Sequence, residues 1–311
     1  MPNIDLITTR FGGPTNWAYA LAKAAASTPY TVRVHSAVTR TVMSPLWTTA
    51  DLVHSVLPIF WHLWNKPMLL TVKGDYRIER PIWRKLYPIA IKKAGRVTVP
   101  SIFLRDALGL SQAIVIPNAI DVQKYKPHQQ RPGEILELLT VTKFWFQGKA
   151  EGVISMARNI KVAMQGSSRP YHLTVLGEGP FLQTVSSQVR RLGIPVTFVG
   201  SASPQPYYEK SDIFLYNSLH DNMPNAVLEA MASGLPIISN AVGAVPEMLI
   251  HGVSGLIAND DDEYADCLRS LVTDESLHHN VGIAARQAAT ERFSWTVILP
   301  QLIAVYDALL S

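Results

Sequence analysis

Asp221 and Glu229 are two carboxylates separated by seven residues, Asn222-Met223-Pro224-Asn225-Ala226-Val227-Leu228. That stretch is built like the entrance to a helix. Proline suits a first helical turn, because the N–H it lacks has no intrahelical partner there, so Pro224 marks a start. Asn222 or Asn225 is placed to cap the turn, and Gly234 to take the left-handed position that ends the helix. The spacing therefore sets Asp221 on the loop before the helix and Glu229 on its second turn. Between them the N–H groups of the first turn, from Asn225 to Val227, form an anion site. Such a device holds a phosphate and a polyhydroxyl group at once.

The elements that must position it follow from the rest of the chain. Strand-like runs alternate with helix-like ones from end to end, the pattern of an α/β protein with parallel sheets. Strands are predicted at 4–8, 31–35, 51–56, 68–72, 96–99 and 113–116, then at 136–141, 171–176, 196–199, 213–216 and 236–238. The segment 124–134 is polar, contains Pro127 and Pro132, and reads as a linker. It separates domain 1–123 from domain 135–295, and residues 296–311 form a last helix. Two doubly wound, Rossmann-like domains result, and such domains bind ligands at the carboxyl ends of their strands. Gly12 and Gly13 follow the first strand, where the absence of side chains lets the backbone approach a phosphate or sugar. Gly200 and Ser201 end another strand.

The chain has 311 residues, 48% apolar and 17% charged, which excludes a disordered or coiled-coil protein. No apolar run approaches the ~18 residues that span a bilayer. The N-terminus lacks the basic and then apolar layout of a signal peptide. A single cysteine, Cys267, forms no internal disulfide, and a reducing, cytoplasmic setting is the simple reading. Net charge is +4, too small to imply nucleic acid as a partner. Arg77, Arg80, Arg84, Lys85, Lys92, Lys93 and Arg96 nevertheless cluster around one acid, Glu79, with Trp83 and Tyr87 interleaved. This run reads either as a solvated helix face or as a helix resting on an anionic membrane surface. Asn259-Asp260-Asp261-Asp262-Glu263 reads as a helix start, where acids favour the positive end of the dipole, rather than as a metal site.

Several ordered segments carry a resemblance. Asp212-Ile213-Phe214-Leu215-Tyr216-Asn217-Ser218 leads into the paired carboxylates, and Asn240-Ala241-Val242-Gly243-Ala244-Val245-Pro246-Glu247 and His251-Gly252-Val253-Ser254-Gly255-Leu256-Ile257 follow them. Pro117-Asn118-Ala119-Ile120-Asp121 precedes the linker, and Arg292-Phe293-Ser294-Trp295 precedes the last helix. Together they resemble the family 4 glycosyltransferases, whose E-x7-E signature here has Asp221 for its first Glu. The resemblance implies the GT-B fold, two Rossmann-like domains facing across a cleft. It also implies a hexosyltransferase that retains anomeric configuration, without a metal or other cofactor.

By the same resemblance, Lys149 and Lys143 neutralise the diphosphate of a UDP- or GDP-linked sugar, the co-substrate. Glu229 accepts hydrogen bonds from ribose hydroxyls, since a carboxylate offers acceptor sites only. Asp221 faces the transferred sugar. Gly12, Gly13, Gly200, Ser201 and the run Asn222, Met223, Pro224, Asn225, Ala226 and Val227 line the donor. Lys73 and Asp75, at the end of a first-domain strand, face the acceptor hydroxyl, which belongs to a glycan, a lipid-linked sugar or a small molecule. A lipid-linked acceptor would place the protein peripherally on the inner face of a membrane. The alternatives are a nucleotide-sugar binder without turnover and a nucleotide-sugar epimerase of the same fold.

Overall fold

The structure is a computed structural model that describes residues 1–10, 12–36, 49–59, 66–127 and 135–311. Phe11 and positions 128–134 of the expected linker lie outside the described residues. Contacts divide the chain into a first unit, Met1–Ala119 with Phe293–Ser311, and a second unit, Ile120–Arg292. The divisions fall a few residues before the boundaries drawn at 123 and 295 from sequence.

In the first unit, short apolar runs form a parallel sheet: β1 (Asn3–Thr8), β2 (Thr31–Ser36), β3 (Leu52–Ser55), β4 (Met68–Thr71), β5 (Arg96–Val99) and β6 (Ile114–Val115), in the order β2-β1-β3-β4-β5-β6. The central strands β3 and β4 are buried at every position, as a parallel sheet covered on both faces requires. Strand residues alternate between the faces. Ile4, Leu6, Leu52 and Leu69 pack with Ala18 and Leu21 of the helix Gly13–Ala25 and with Ile298, Leu302 and Tyr306 of the C-terminal helix Trp295–Leu310. Ile7, Val53 and Met68 meet Trp83 and Ala94 on the other face, around the helix Pro81–Lys93.

The second unit holds β7 (Leu136–Val141), β8 (Tyr171–Leu176), β9 (Val196–Gly200), β10 (Ile213–Tyr216), β11 (Ile237–Asn240) and β12 (Leu256–Ala258), all parallel, in the order β12-β11-β10-β7-β8-β9. Leu138, Val175, Ile213 and Ile238 pack with the helices Gln147–Ala163 and Asp261–Thr273. Leu139, Phe214 and Ile237, each one position away, are equally buried and face the opposite side. Asp260 caps Asp261–Thr273 by accepting from the Glu263 N–H at 2.8 Å, so the acidic run is a helix start. Strand β12 was not among the strands expected, Leu256 and Ile257 being read only as part of the segment 251–257 that carries the resemblance; β11 runs to Asn240 rather than stopping at 238.

Both sheets are doubly wound, and the strand order reverses between β1 and β3 in one and between β7 and β10 in the other. Open α/β sheets bind ligands outside the carboxyl ends of the strands at such a switch point. In the second unit those ends are Val141, which leads to Lys143 and Lys149, and Tyr216, which leads to Asp221.

Candidate functional site

At the switch point of the second unit two loops are fitted together by backbone contact. The helix Gln147–Ala163 sits against the end of β10 at Gly152, where any Cβ would lie 2.2 Å from the Asn217 carbonyl oxygen. Leu219 N–H donates to the Gly148 carbonyl at 3.0 Å. From β11, Asn240 brackets Ser218, donating from Nδ2 to its carbonyl at 2.7 Å and accepting its N–H at 3.2 Å. Gly243 supports the next step of the loop: its φ is +57°, and a Cβ there would stand 2.4 Å from the carbonyl oxygens of both Asp221 and Asn222. Gly243→Ala is therefore expected to displace the Asp221–Asn222 backbone and to cost about 1–3 kcal/mol, the usual cost of a strained backbone position. A urea unfolding curve with an unchanged midpoint would refute this.

The loop so held presents Asp221 to Lys149. Their charged atoms, Oδ2 and Nζ, are 2.6 Å apart, with side chains 15% and 21% exposed. The Tyr216 hydroxyl donates to the same oxygen, and the Asn222 N–H donates to Oδ1 at 2.8 Å. Burial alone would push this carboxyl up. The Lys149 ammonium and the hydrogen bonds from Lys149, Tyr216 and Asn222 override it and hold Asp221 below the ordinary carboxylate value. Asn222 Oδ1 is buried without a partner among the described residues.

The helix that follows, Asn225–Ala232, starts one residue later than its sequence suggests. Pro224 is extended and occupies the capping position itself. The Val227 N–H, counted from sequence among the unbonded donors of the anion site, instead meets the Pro224 carbonyl at 3.1 Å. Gly234 ends the helix at φ +68°, as expected. Met223 and Pro224 are buried, while Asn225 is exposed.

Glu229 stands on the second turn of that helix, half-buried. The Tyr208 hydroxyl lies 3.0 Å from its Oε2 and 3.1 Å from the Ala226 carbonyl, and Tyr125 hydrogen-bonds it as well. Burial raises this carboxyl above the ordinary glutamate value, and the two tyrosines and the nearby Lys124 offset only part of that rise. The two carboxylates thus have opposite character: a cation favours the ionised form of Asp221, and burial disfavours that of Glu229.

Other expected residues have surroundings of their own. Lys143 is exposed and lies 3.8 Å from Glu178, across from the next loop rather than beside Asp221. Gly200 ends β9 at φ +80°, accepting the Gly177 N–H at 2.9 Å, and Ser201 beyond it is exposed. In the first unit, Gly12 is extended into positive φ, +99°, at the start of the helix Gly13–Ala25. Lys73, past the end of β4, places its ammonium 3.6 Å over the Trp17 ring and donates to Asn118 Oδ1 at 2.9 Å. Its amine is pushed well below the ordinary value by burial. His54 beneath is fully buried between the Tyr306 hydroxyl and Thr71 Oγ1, at 2.7 Å from each, and burial and then the Lys73 charge push it down to about 3. Asp75 is committed to Arg77, accepting from its N–H, Nε and Nη2 at 3.0, 2.8 and 2.6 Å.

Tyr125, Tyr208 and Tyr216 escaped sequence reasoning because buried tyrosines read as core; only the position of Tyr216 at a strand end before Asp221 hinted otherwise. Among the described residues no group of three or more His, Cys, Asp or Glu could hold a metal ion, and no helix is long and apolar enough to cross a membrane.

Comparison with known proteins adds sequence and fold relatives. Residues 137–274 match the family described as Glycosyl transferases group 1. Alpha-maltose-1-phosphate synthase of Mycolicibacterium smegmatis is 32% identical over 264 residues, covering 75% of this chain and 67% of that protein. N-acetyl-alpha-D-glucosaminyl L-malate synthase of Bacillus anthracis is 34% identical over 139 residues, 43% of this chain but only 36% of its own length. The chain thus spans well under two thirds of some curated relatives. The crystal structure of Anabaena HepE in complex with UDP-glucose superimposes with a TM-score of 0.81 over 99% of this chain and 100% of that one, at 16% identity, a likeness of fold.

Proposed function

The chain belongs to the group 1 glycosyltransferases, and from that premise we propose that it moves a hexosyl group from a nucleoside-diphosphate sugar to an acceptor hydroxyl, with retention of anomeric configuration and without a metal. The observation that carries this reading is the Lys149–Asp221 pair at the switch point of the second unit, with Glu229 on the helix that follows. In the reaction the bond from the sugar's anomeric carbon to the phosphate oxygen breaks, and a bond from the acceptor oxygen to that carbon forms. The acceptor's proton passes to the departing phosphate oxygen. Charge grows on the diphosphate as this happens, and a fixed cation placed there stabilises the transition state more than the ground state.

Lys149 fills that role, with Lys143 and the amides at the start of Asn225–Ala232 assisting. Glu229 takes the ribose hydroxyls, and Asp221 takes a hydroxyl of the transferred sugar. Gly12, Gly13, Gly200 and Ser201 complete the donor contacts. UDP is the favoured nucleotide, because the fold relative above holds UDP-glucose, and GDP is the alternative. Lys73 meets the acceptor and Asp75 holds Arg77 beside it. The acceptor is a glycan, a lipid-linked sugar or a small molecule; two relatives are named for products bearing malate or phosphate. A peripheral position on the cytoplasmic face of a membrane, through the basic segment from Arg77 to Arg96, completes the reading.

Calorimetric titration with UDP and GDP, followed by incubation with panels of their sugars, tests it. Release of nucleoside diphosphate from one donor is expected, faster with the right acceptor. Tight nucleotide binding with no turnover of any donor would replace the enzyme by a binding protein. Lys73→Gln should raise the acceptor KM about tenfold, as loss of one charge-assisted hydrogen bond does, and leave UDP affinity unchanged. Weakened UDP binding in that variant would move Lys73 to the donor.

A further inference from the structure

Charge is divided unequally between the two units. The first carries 14 Lys and Arg against 6 Asp and Glu, a formal +8, and the second carries 14 against 18, a formal −4. Half of the first unit's cations lie between Arg77 and Arg96, where Glu79 is the only acid. The helix Pro81–Lys93 turns Tyr87 and Ala90 into the core, with Trp83 and Ala94 packed beside them, so its inward face is fixed. Arg84, Lys85, Ile89 and Lys92 face solvent as a consequence. Within this basic surface three isoleucines are left in water: Ile78 is 59% exposed, Ile82 55% and Ile89 42%. Ile82 and Ile89 are two helical turns apart and lie on one face, with Lys85 between them.

A helix face that only met water would gain nothing from these isoleucines, and a polyanion such as nucleic acid would use the cations alone. An anionic lipid surface uses both kinds of residue, since basic side chains reach headgroups while apolar ones enter the acyl boundary. We propose that Ile78, Ile82 and Ile89, together with the exposed Arg80, Arg84, Lys85 and Lys92, form a membrane-docking surface for anionic lipid. The inference rests on the peripheral placement proposed above and supplies its contact. Each near-surface cation multiplies partitioning into an anionic leaflet about fivefold, so the cluster is large enough to hold the protein there reversibly.

Sedimentation of the full chain with phosphatidylcholine vesicles, with and without phosphatidylglycerol, tests the surface, with UDP titrated in parallel. Wild type is expected to sediment with the anionic vesicles and not with the neutral ones. The charge reversal Arg84→Glu/Lys85→Glu/Lys92→Glu should abolish that binding, and Ile82→Ser/Ile89→Ser should weaken it at least about tenfold, including at salt concentrations that screen the cations. All five positions are exposed, so circular dichroism and UDP affinity should match wild type. Absence of binding to anionic vesicles at low salt overturns the proposal while leaving the donor site standing. Wild-type binding retained by both variants leaves a peripheral protein and overturns this surface. Equal binding to single-stranded polynucleotide, insensitive to the isoleucine changes, makes it a polyanion site instead and also overturns it. Vesicle binding without UDP binding supports the surface and removes the donor reading alone.

Discussion

Lys149→Ala is expected to lower kcat/KM by about 10²–10³, the effect of deleting one preorganised group that stabilises transition-state charge. The loss should appear in kcat, measured by single-turnover transfer, because the cation acts most on charge that develops as the bond breaks. The same change removes the counter-charge 2.6 Å from Asp221 and leaves a carboxylate partly buried with only neutral donors. Stability should fall as well, and the pH dependence gives its signature. Asp221 has a folded-state pKa below its unfolded value, so its contribution to stability is complete above the unfolded value and is lost as pH falls through the folded one. Without Lys149 the folded value rises, and acid unfolding should begin at higher pH. Adding Asp221→Asn to Lys149→Ala should recover much of the stability and none of the rate. A double variant as active as wild type would remove both residues from the chemistry.

Glu229→Gln is expected to separate stability from binding in the opposite sense. Burial holds the Glu229 pKa above its unfolded value, so the ionised group opposes folding at pH values above the folded pKa, and that cost is relieved as pH falls through it. A neutral amide removes the cost, while its oxygen still accepts from the Tyr208 and Tyr125 hydroxyls. The variant should melt at a higher temperature than wild type at neutral pH, with the difference shrinking in acid. Its affinity for UDP should fall about tenfold or more, because the bonds to the ribose hydroxyls lose their charge assistance. Unchanged UDP affinity together with a raised Tm would make Glu229 a structural acid and sink its assignment to ribose.

The sequence carried the fold because its signals are local and repeated. Short uninterrupted apolar runs such as 68–70 and 213–216 fit strands covered on both faces, and their alternation with helices points to parallel sheets. The placing of the paired carboxylates was legible for the same reason, since Pro224 and Gly234 bracket a short helix whatever surrounds it, whereas Lys149 was singled out by the family resemblance. Tertiary contacts were not legible. Gly243 matters through the carbonyls of Asp221 and Asn222, some twenty residues away, and Tyr125 and Tyr208 reach Glu229 from separate segments. The helix start was misread by one residue because Pro224, with an extended backbone, stands before the first turn of Asn225–Ala232 and not within it. Isoleucine exposure on Pro81–Lys93 was hidden too, since the pattern gives the period of a helix but not which of its apolar residues the core has room for.

Asp221 already has partners on both oxygens: Lys149 and Tyr216 on one, and the Asn222 amide on the other. On the proposed reading, recognition of a sugar there would be an exchange of partners rather than an addition. Each new hydroxyl bond replaces or weakens one already present, so the heat released at this end of the donor should be small. Sugars that differ at one carbon would then be separated by shape and displaced water more than by bond count. Selectivity of that kind shows in binding entropy, and it leaves a family of related donors within reach of a few substitutions around Tyr216.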